Sequence, residues 1–194
     1  MKKGILVEDN SIEMFSVIDG TLYQKNESRI SNEFISGTPD LHDGDNIMEC
    51  NEIIDIKSSW DIFTFLSNVK EPMSDMHYWQ LQGYMALTGA SIGTIAHCLT
   101  NTPESIIEGE KYNLLRNIDV ATEEDPKFKK ELVKLLRNRI FDDIPLYERV
   151  LTISIERNEE DIDKIYKKVT KCREFLSEFE QEHLVFSKNH RKKV

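Results

Sequence analysis

The sequence predicts one α/β domain, a mixed β-sheet flanked by helices and closed by a long C-terminal helix. Three observations carry that expectation. Ile53–Ser58, Ile92–Leu99 and Val150–Ile155 are apolar runs of strand length, the last alternating cleanly between Leu151, Ile153, Ile155 and Thr152, Ser154. Between them lie stretches with helical periodicity and recognisable start signals. The final stretch, from near Asn158, places Ile162, Ile165, Val169, Cys172, Leu176 and Phe179 on one stripe. At 194 residues the chain is long enough for one core, and no repeat or Gly-, Pro- or Ser-rich linker divides it. A domain over 1–186 and a basic, mobile tail over 187–194 are expected.

In chain order, Lys3 to Ile18 reads as an amphipathic helix with Ile5, Ile12, Met14 or Phe15 and Ile18 near one side. Asp19-Gly20 is a turn. Thr21–Gln24 and Ser31–Ser36 read as short strands. Asp40-Leu41 leads into the turn Asp43-Gly44-Asp45, and Ile47–Cys50 and Ile53–Ser58 complete the sheet region. Ser58 or Ser59 is the expected cap of a helix through Trp60, Ile62, Phe63, Phe65 and Leu66. Ser74 or Asp75 caps the next, which runs to about Leu87 and stops at Gly89. Thr102-Pro103 and Asp125-Pro126 each set a capping side chain before a proline, opening helices over 103–117 and 126–139.

Composition narrows the function. A net charge of −10 argues against general affinity for nucleic acid, though not against a local basic groove. Cys50, Cys98 and Cys172 are far apart and form no Cys-x-x-Cys pair, which argues against a zinc knuckle and for reduced thiols in the cytoplasm. Met1-Lys2-Lys3 precedes only three apolar residues, so a signal peptide is not expected, and no stretch reaches membrane-spanning length.

The residues that suggest chemistry are Asp40, Asp55 and Lys57. Strand alternation points Asp55 and Lys57 to one side and Ile54 and Ile56 to the other, with Asp40 on the preceding strand. Two carboxylates on adjacent strands, with a main-chain carbonyl such as that of Ile56, suit hard Mg²⁺ or Mn²⁺. Phosphodiester hydrolysis needs such a cation, and an amine beside it can orient or deprotonate water. From spacing alone the same residues also read as a salt bridge across a hairpin. Gln80 and Tyr84, four apart, share a helix face and could hold a phosphate oxygen, the nucleophilic water or a base. Taken alone they read rather as an amphipathic boundary.

Gly37-Thr-Pro-Asp40, Ile53-Ile-Asp55-Ile-Lys57-Ser and Gln80-Leu-Gln-Gly-Tyr84 together resemble the PD-(D/E)XK nucleases. The nearest branch is that of the RecB-like and lambda-type phage exonucleases, including the viral recombinase exonucleases. That branch also carries a glutamate in a Gly-x-x-x-Glu setting on the helix before the sheet, and Gly4-Ile-Leu-Val-Glu8 matches it. The resemblance spans residues 4 to 180 and implies a restriction-endonuclease-like core. It further implies that Asp40, Asp55, the Ile56 carbonyl and Glu8 hold Mg²⁺ or Mn²⁺, that Lys57 serves the nucleophile, and that Gln80 and Tyr84 position it or the DNA. The implied activity is metal-dependent exonucleolytic cleavage at ends of linear duplex DNA, in phage-type recombination or DNA processing. The implied partners are duplex ends or single strands, further copies of the chain in a ring, and a single-strand annealing protein, with no membrane. Where family members carry more chain before the glutamate helix, some with a basic residue for the phosphate of a DNA end, only Met1–Lys3 stand here. There the sequence as given departs from the family pattern.

Other groups read as less specific. His42, Asp43 and Asp45 lack calcium-loop spacing, His77 and His97 read as a boundary and a strand residue, and Trp60, Trp79 and Phe63 as core. Lys127, Lys130, Lys134 and Arg137, with Lys129 and Arg139, could line a DNA groove, as could Lys164, Lys167, Lys168 and Lys171; both sets also read as solvated helix faces. Two alternatives accompany the nuclease reading: a catalytically silent nuclease-fold module for DNA binding or assembly, and an acidic protein-interaction domain.

Overall fold

Helix α1 (Lys2–Asp19) opens the chain, followed by two short paired strands, β1 (Ile30–Ser31) and β2 (Ser36–Gly37). Strands β3 (Leu41–His42) and β4 (Glu52–Ser58) come next, then α2 (Ile62–Lys70), α3 (Asp75–Thr88) and β5 (Ile92–Cys98). Helices α4 (Glu104–Ile118) and α5 (Pro126–Arg137), strand β6 (Val150–Glu156) and the 25-residue α6 (Glu159–His183) complete it. The computed structural model describes residues 2–183. The expected tail over 187–194 lies outside them.

The main sheet has the order β3-β4-β5-β6, with β4 and β5 parallel and both outer pairs antiparallel. A parallel pair needs a crossover, and α2 and α3 supply it. The fold is thus a mixed α/β arrangement with a long C-terminal helix, as expected. One face of the sheet presents Leu41, Ile54, Ile56, Ala96 and Cys98 to Ile12, Met14 and Phe15 of α1. The opposite face presents Ile53 and Ile95 to Leu81 and Met85 of α3. Asp55 and Lys57 stand on this second face, since residues alternate along β4.

Several local expectations change. Thr21–Gln24 is not a strand: it joins no ladder, Leu22 is exposed, and Tyr23 packs its ring 5.2 Å from Phe15. Ile47–Cys50 is a turn, because the Asn46 side chain takes the Met48 amide at 3.0 Å and bends the chain first. The Ser31–Ser36 strand is two two-residue strands, folded at Asn32, whose side chain accepts from the amides of Phe34 and Ile35.

Asp61, rather than Ser58 or Ser59, caps α2 by accepting the Thr64 amide at 2.8 Å. Ser74, Gly89 and Asp125 act as expected, whereas α4 has no side-chain cap and Thr102 does not serve one. In α1 the buried stripe is Lys3, Val7, Ser11 and Phe15, four apart, while Ile5 and Ile18 are exposed. Trp60, Trp79 and Phe63 are exposed as well, since short α2 buries only Phe65 and Trp60 instead covers the Arg139 guanidinium at 5.5 Å. The α6 stripe buries only Ile162 fully, and its Cys172, Leu176 and Phe179 are exposed.

Candidate active site

The register of β3 on β4 pairs Leu41 with Ile54 and His42 with Ile53. Continued by one residue, it sets Asp40 opposite Asp55, where cross-strand neighbours share a face. The Asp40 carboxylate is fixed there by accepting the Ile56 amide at 2.7 Å. The two carboxylates are close enough that each ionisation opposes the other. Burial, reinforced by the charge of Asp55, pushes the Asp40 carboxyl up to about 6. Asp55, only 1% exposed, is also raised by burial, with Lys57 opposing.

Around Asp55 the remaining groups converge. Lys57 Nζ lies 2.5 Å from Asp55 Oδ2, yet that buried oxygen receives no aligned hydrogen bond. Gln80 Nε2 donates to Asp55 Oδ1 at 3.0 Å and to the Tyr84 hydroxyl at 3.0 Å. The helical spacing of α3 thus delivers Gln80 to the carboxylate and Tyr84 to Gln80. Tyr84 is seated by Gly37, where a Cβ would come within 2.6 Å of its ring. Burial raises the Tyr84 phenol, so it stays neutral and donates or accepts as needed.

Two histidines that spacing did not mark as functional belong to this cluster. His97 pairs in register with Lys57, and its ring lies 5.8 Å from that of His77 on α3. His97 Nε2 meets the Pro72 carbonyl at 2.8 Å, while the Nδ1 atoms of both histidines are buried without partners. Burial lowers both imidazoles, and the Lys57 charge adds to the effect. One signal was available: His77, Gln80 and Tyr84 lie at i, i+3 and i+7 on one helix. The position of His97 depends on strand register, which no local spacing reports.

Glu8 of α1 stands at the edge of this group. It pairs with Lys25 at 2.8 Å, and its charge contributes only a small part of the rise in Asp40. On α5, Lys127 donates to the Ile118 carbonyl and Lys134 pairs with Glu131, so neither is bonded to the site. Among the described residues no three His, Cys, Asp or Glu side chains form a ready metal cluster. The donor set is instead two crowded carboxylates, one of them ion-paired with Lys57. That chemistry fits a hard divalent cation.

Solved structures share this fold. The crystal structure of a phage related exonuclease from Haemophilus somnus 129PT superposes with a TM-score of 0.67 at 29% identity, over 93% of this chain and 72% of that one. An alkaline exonuclease from Laribacter hongkongensis, LHK-Exo, gives 0.61 at 18% identity, over 100% of this chain and 75% of that one. Its complex with dAMP gives 0.59 at 19%, with the same coverage. The chain matches no family model and no curated protein. The likeness bears out the resemblance read from the motifs and supports a nuclease role. No helix among the described residues is long and apolar enough to cross a membrane.

Proposed function

We propose that this chain, which has the PD-(D/E)XK nuclease fold and is similar to phage-type exonucleases, is a metal-dependent deoxyribonuclease acting on ends of linear DNA. The observation that carries the reading is the meeting of Asp40 and Asp55 across β3 and β4, with Lys57 and Gln80 on the same carboxylate. A structural salt bridge needs neither the second, half-buried acid nor the helix-borne glutamine.

Asp40 and Asp55 hold Mg²⁺ or Mn²⁺, with the Ile56 carbonyl and Glu8 completing the protein's share. Bound there, the cation supplies Lewis acidity toward the scissile phosphate and its attacking water. Lys57, its side chain 32% exposed where that of Asp55 is buried, orients that water through Nζ. Gln80 holds the Asp55 carboxylate in place and Tyr84 holds Gln80, so the α3 pair fixes the geometry on which in-line attack depends. LHK-Exo has been solved in complex with dAMP, and a nucleotide ligand on a protein of this fold supports a nucleic-acid substrate. The α5 cations Lys127, Lys130, Lys134 and Arg137 are the proposed contacts for flanking phosphates.

The test is incubation of linear duplex DNA with the protein and Mg²⁺ or Mn²⁺, beside an Asp55→Ala variant and a chelator. Loss of DNA confined to the intact protein with metal supports the enzyme. Retardation without loss supports a silent binding module, and neither result supports an interaction domain. Circular, single-stranded and 5′-phosphorylated substrates then distinguish end from internal cleavage.

A further inference from the structure

The segment after α1 joins no strand, yet it is anchored at both ends. At one end the Tyr23 amide donates to Ser16 Oγ at 3.2 Å and the Tyr23 hydroxyl to Asp19 at 3.0 Å, so α1 holds it. At the other, buried Asn26 donates its amide to the Asp40 carbonyl and its side chain to the Pro39 carbonyl, both at 2.8 Å. Lys25 lies between the two anchors. It is brought to the candidate site by the contact that also ties down the backbone of Asp40. Its Nζ lies 2.8 Å from Glu8 Oε2, the side chains being 40% and 27% exposed, and the charge of Asp40 also acts on it. So open an ion pair contributes little to stability, and its place beside the carboxylates needs another reason.

Charge balance supplies one. Asp40, Asp55 and Glu8 stand against Lys57 and Lys25, while burial keeps His77 and His97 neutral. At neutral pH the group therefore carries an excess negative charge, which repels a phosphodiester. A divalent cation turns the excess positive, and one phosphodiester cancels it. The same cation competes with Lys25 for Glu8. We propose that Lys25 exchanges partners: it holds Glu8 while no divalent cation is bound, and turns to a phosphate of the DNA once Glu8 serves the cation. The inference rests on the nuclease reading above and adds a substrate contact that couples metal loading to DNA binding. An ammonium on a flexible four-carbon stem suits such an exchange, since it can be re-aimed while the anchors at Tyr23 and Asn26 stay in place.

Two binding measurements on the full chain test this. Mn²⁺ affinity without DNA is read by paramagnetic resonance of the free ion. Duplex affinity is read by fluorescence anisotropy over a salt series, with and without Mn²⁺, in the Lys57→Met background so that the DNA survives. Lys25→Met tightens Mn²⁺ binding by about threefold, because a competing charge is gone. With Mn²⁺ present it weakens DNA binding by roughly tenfold and lowers the slope of log affinity against log salt by about 1. Without Mn²⁺ the loss stays within about twofold, since Lys25 is then occupied by Glu8. Lys25→Arg keeps the native DNA affinity and slope, as a phosphate contact requires. Mn²⁺ affinity that is unchanged or weaker in Lys25→Met overturns the proposal, the weaker case making Lys25 an orienter of Glu8. An unchanged salt slope, or an equal loss of DNA affinity with and without Mn²⁺, overturns it too. Glu8→Gln lowers Mn²⁺ affinity and abolishes the gain from Lys25→Met; if it does neither, Glu8 is no ligand and the exchange is excluded. A native chain that binds no Mn²⁺ defeats the nuclease reading as well, whereas metal binding and cleavage with failed Lys25 results defeat this proposal alone.

Discussion

Two lysines mark opposite solutions to one physical problem. Lys3 is 1% exposed, and its ammonium donates to the carbonyls of Ser59, Trp60 and Thr100 at 3.0, 3.0 and 2.8 Å. All three of its donors are used, no carboxylate bonds it, and it ties α1 to the ends of β4 and β5. Burial, helped by Arg139, lowers its amine to about 8. Lys57 has one buried carboxylate as partner, poor hydrogen-bond geometry, and a side chain 32% exposed. A fully bonded cation has no capacity left for substrate and acts as a lock. A partly bonded one beside a crowded acid pair retains that capacity.

The sharpest way to break this comparison is to remove each group and ask which property fails. Asp55→Asn and Lys57→Met are expected to lower kcat by about 10³-fold or more, in line with loss of a group acting on charge in the transition state. Asp55→Asn leaves the melting temperature unchanged or raised, because a buried acid held above its ordinary range is removed while Gln80 keeps an acceptor. Single-turnover cleavage and a thermal melt check both. A thermal loss matching that of Lys3→Met would erase the distinction.

Lys3→Met is the reciprocal case. Three carbonyls lose their donor, and a net loss of about 2 kcal/mol follows, seen as a drop of roughly 5 °C in Tm. Cleavage by the folded fraction stays intact. The sign with pH is fixed by the lowered amine: between about 8 and 10.5 the unfolded chain binds more protons, so native stability gains as pH rises through that window. The variant lacks that gain, and its deficit against the native chain therefore widens from pH 8 upward.

Asp40→Asn sharpens the other half. The folded carboxyl titrates near 6 against an ordinary 3.8, so its contribution is present at low pH and lost as pH rises through 6. Without divalent metal, Asn is therefore expected to stabilise the protein at pH 7 by about 2 kcal/mol, since it still accepts the Ile56 amide. The advantage vanishes below pH 4. Mg²⁺ narrows it at pH 7, as the native carboxylate gains a partner that the amide lacks. Melts at three pH values with and without metal measure this.

How far the site was legible follows from how far each signal reaches along the chain. Asp55 and Lys57 follow from alternation over three residues, and Gln80 and Tyr84 from one helical turn; both signals survive folding because the backbone period enforces them. Asp40 needed a hairpin register, which the turn at Asp43 supplies by taking the amides of Asn51 and Glu52 at 2.8 and 2.7 Å. Lys3 and His97 were invisible for the same reason in reverse. Each finds its partners more than twenty residues away, Lys3 at Ser59, Trp60 and Thr100 and His97 at Pro72. Thr21–Gln24 and Ile47–Cys50 have strand-like composition but join no ladder, and propensity alone did not hold them extended.

The smallest expected effect tests whether Tyr84 acts through position. A Cβ on Gly37 would stand 2.6 Å from Tyr84 Cε1 and 3.1 Å from Cδ1, closer than packed carbons approach, so the ring must move in Gly37→Ala. The ring is held at its far end only by Gln80, and Gln80 is what steadies Asp55. Displacing one therefore loosens the next, and a fall in kcat of about tenfold is expected without loss of folding, the scale at which small misplacements act. Tyr84→Phe removes the hydroxyl but keeps the ring, so the clash persists and the two changes partly overlap. Tyr84→Ala removes the ring altogether. In that background Gly37→Ala should cost nothing further, and the double-mutant cycle then returns a coupling equal to the single effect. Full additivity instead would mean that Gly37 acts through the backbone of β2, and Tyr84 would lose its place in the chain of contacts leading to Asp55.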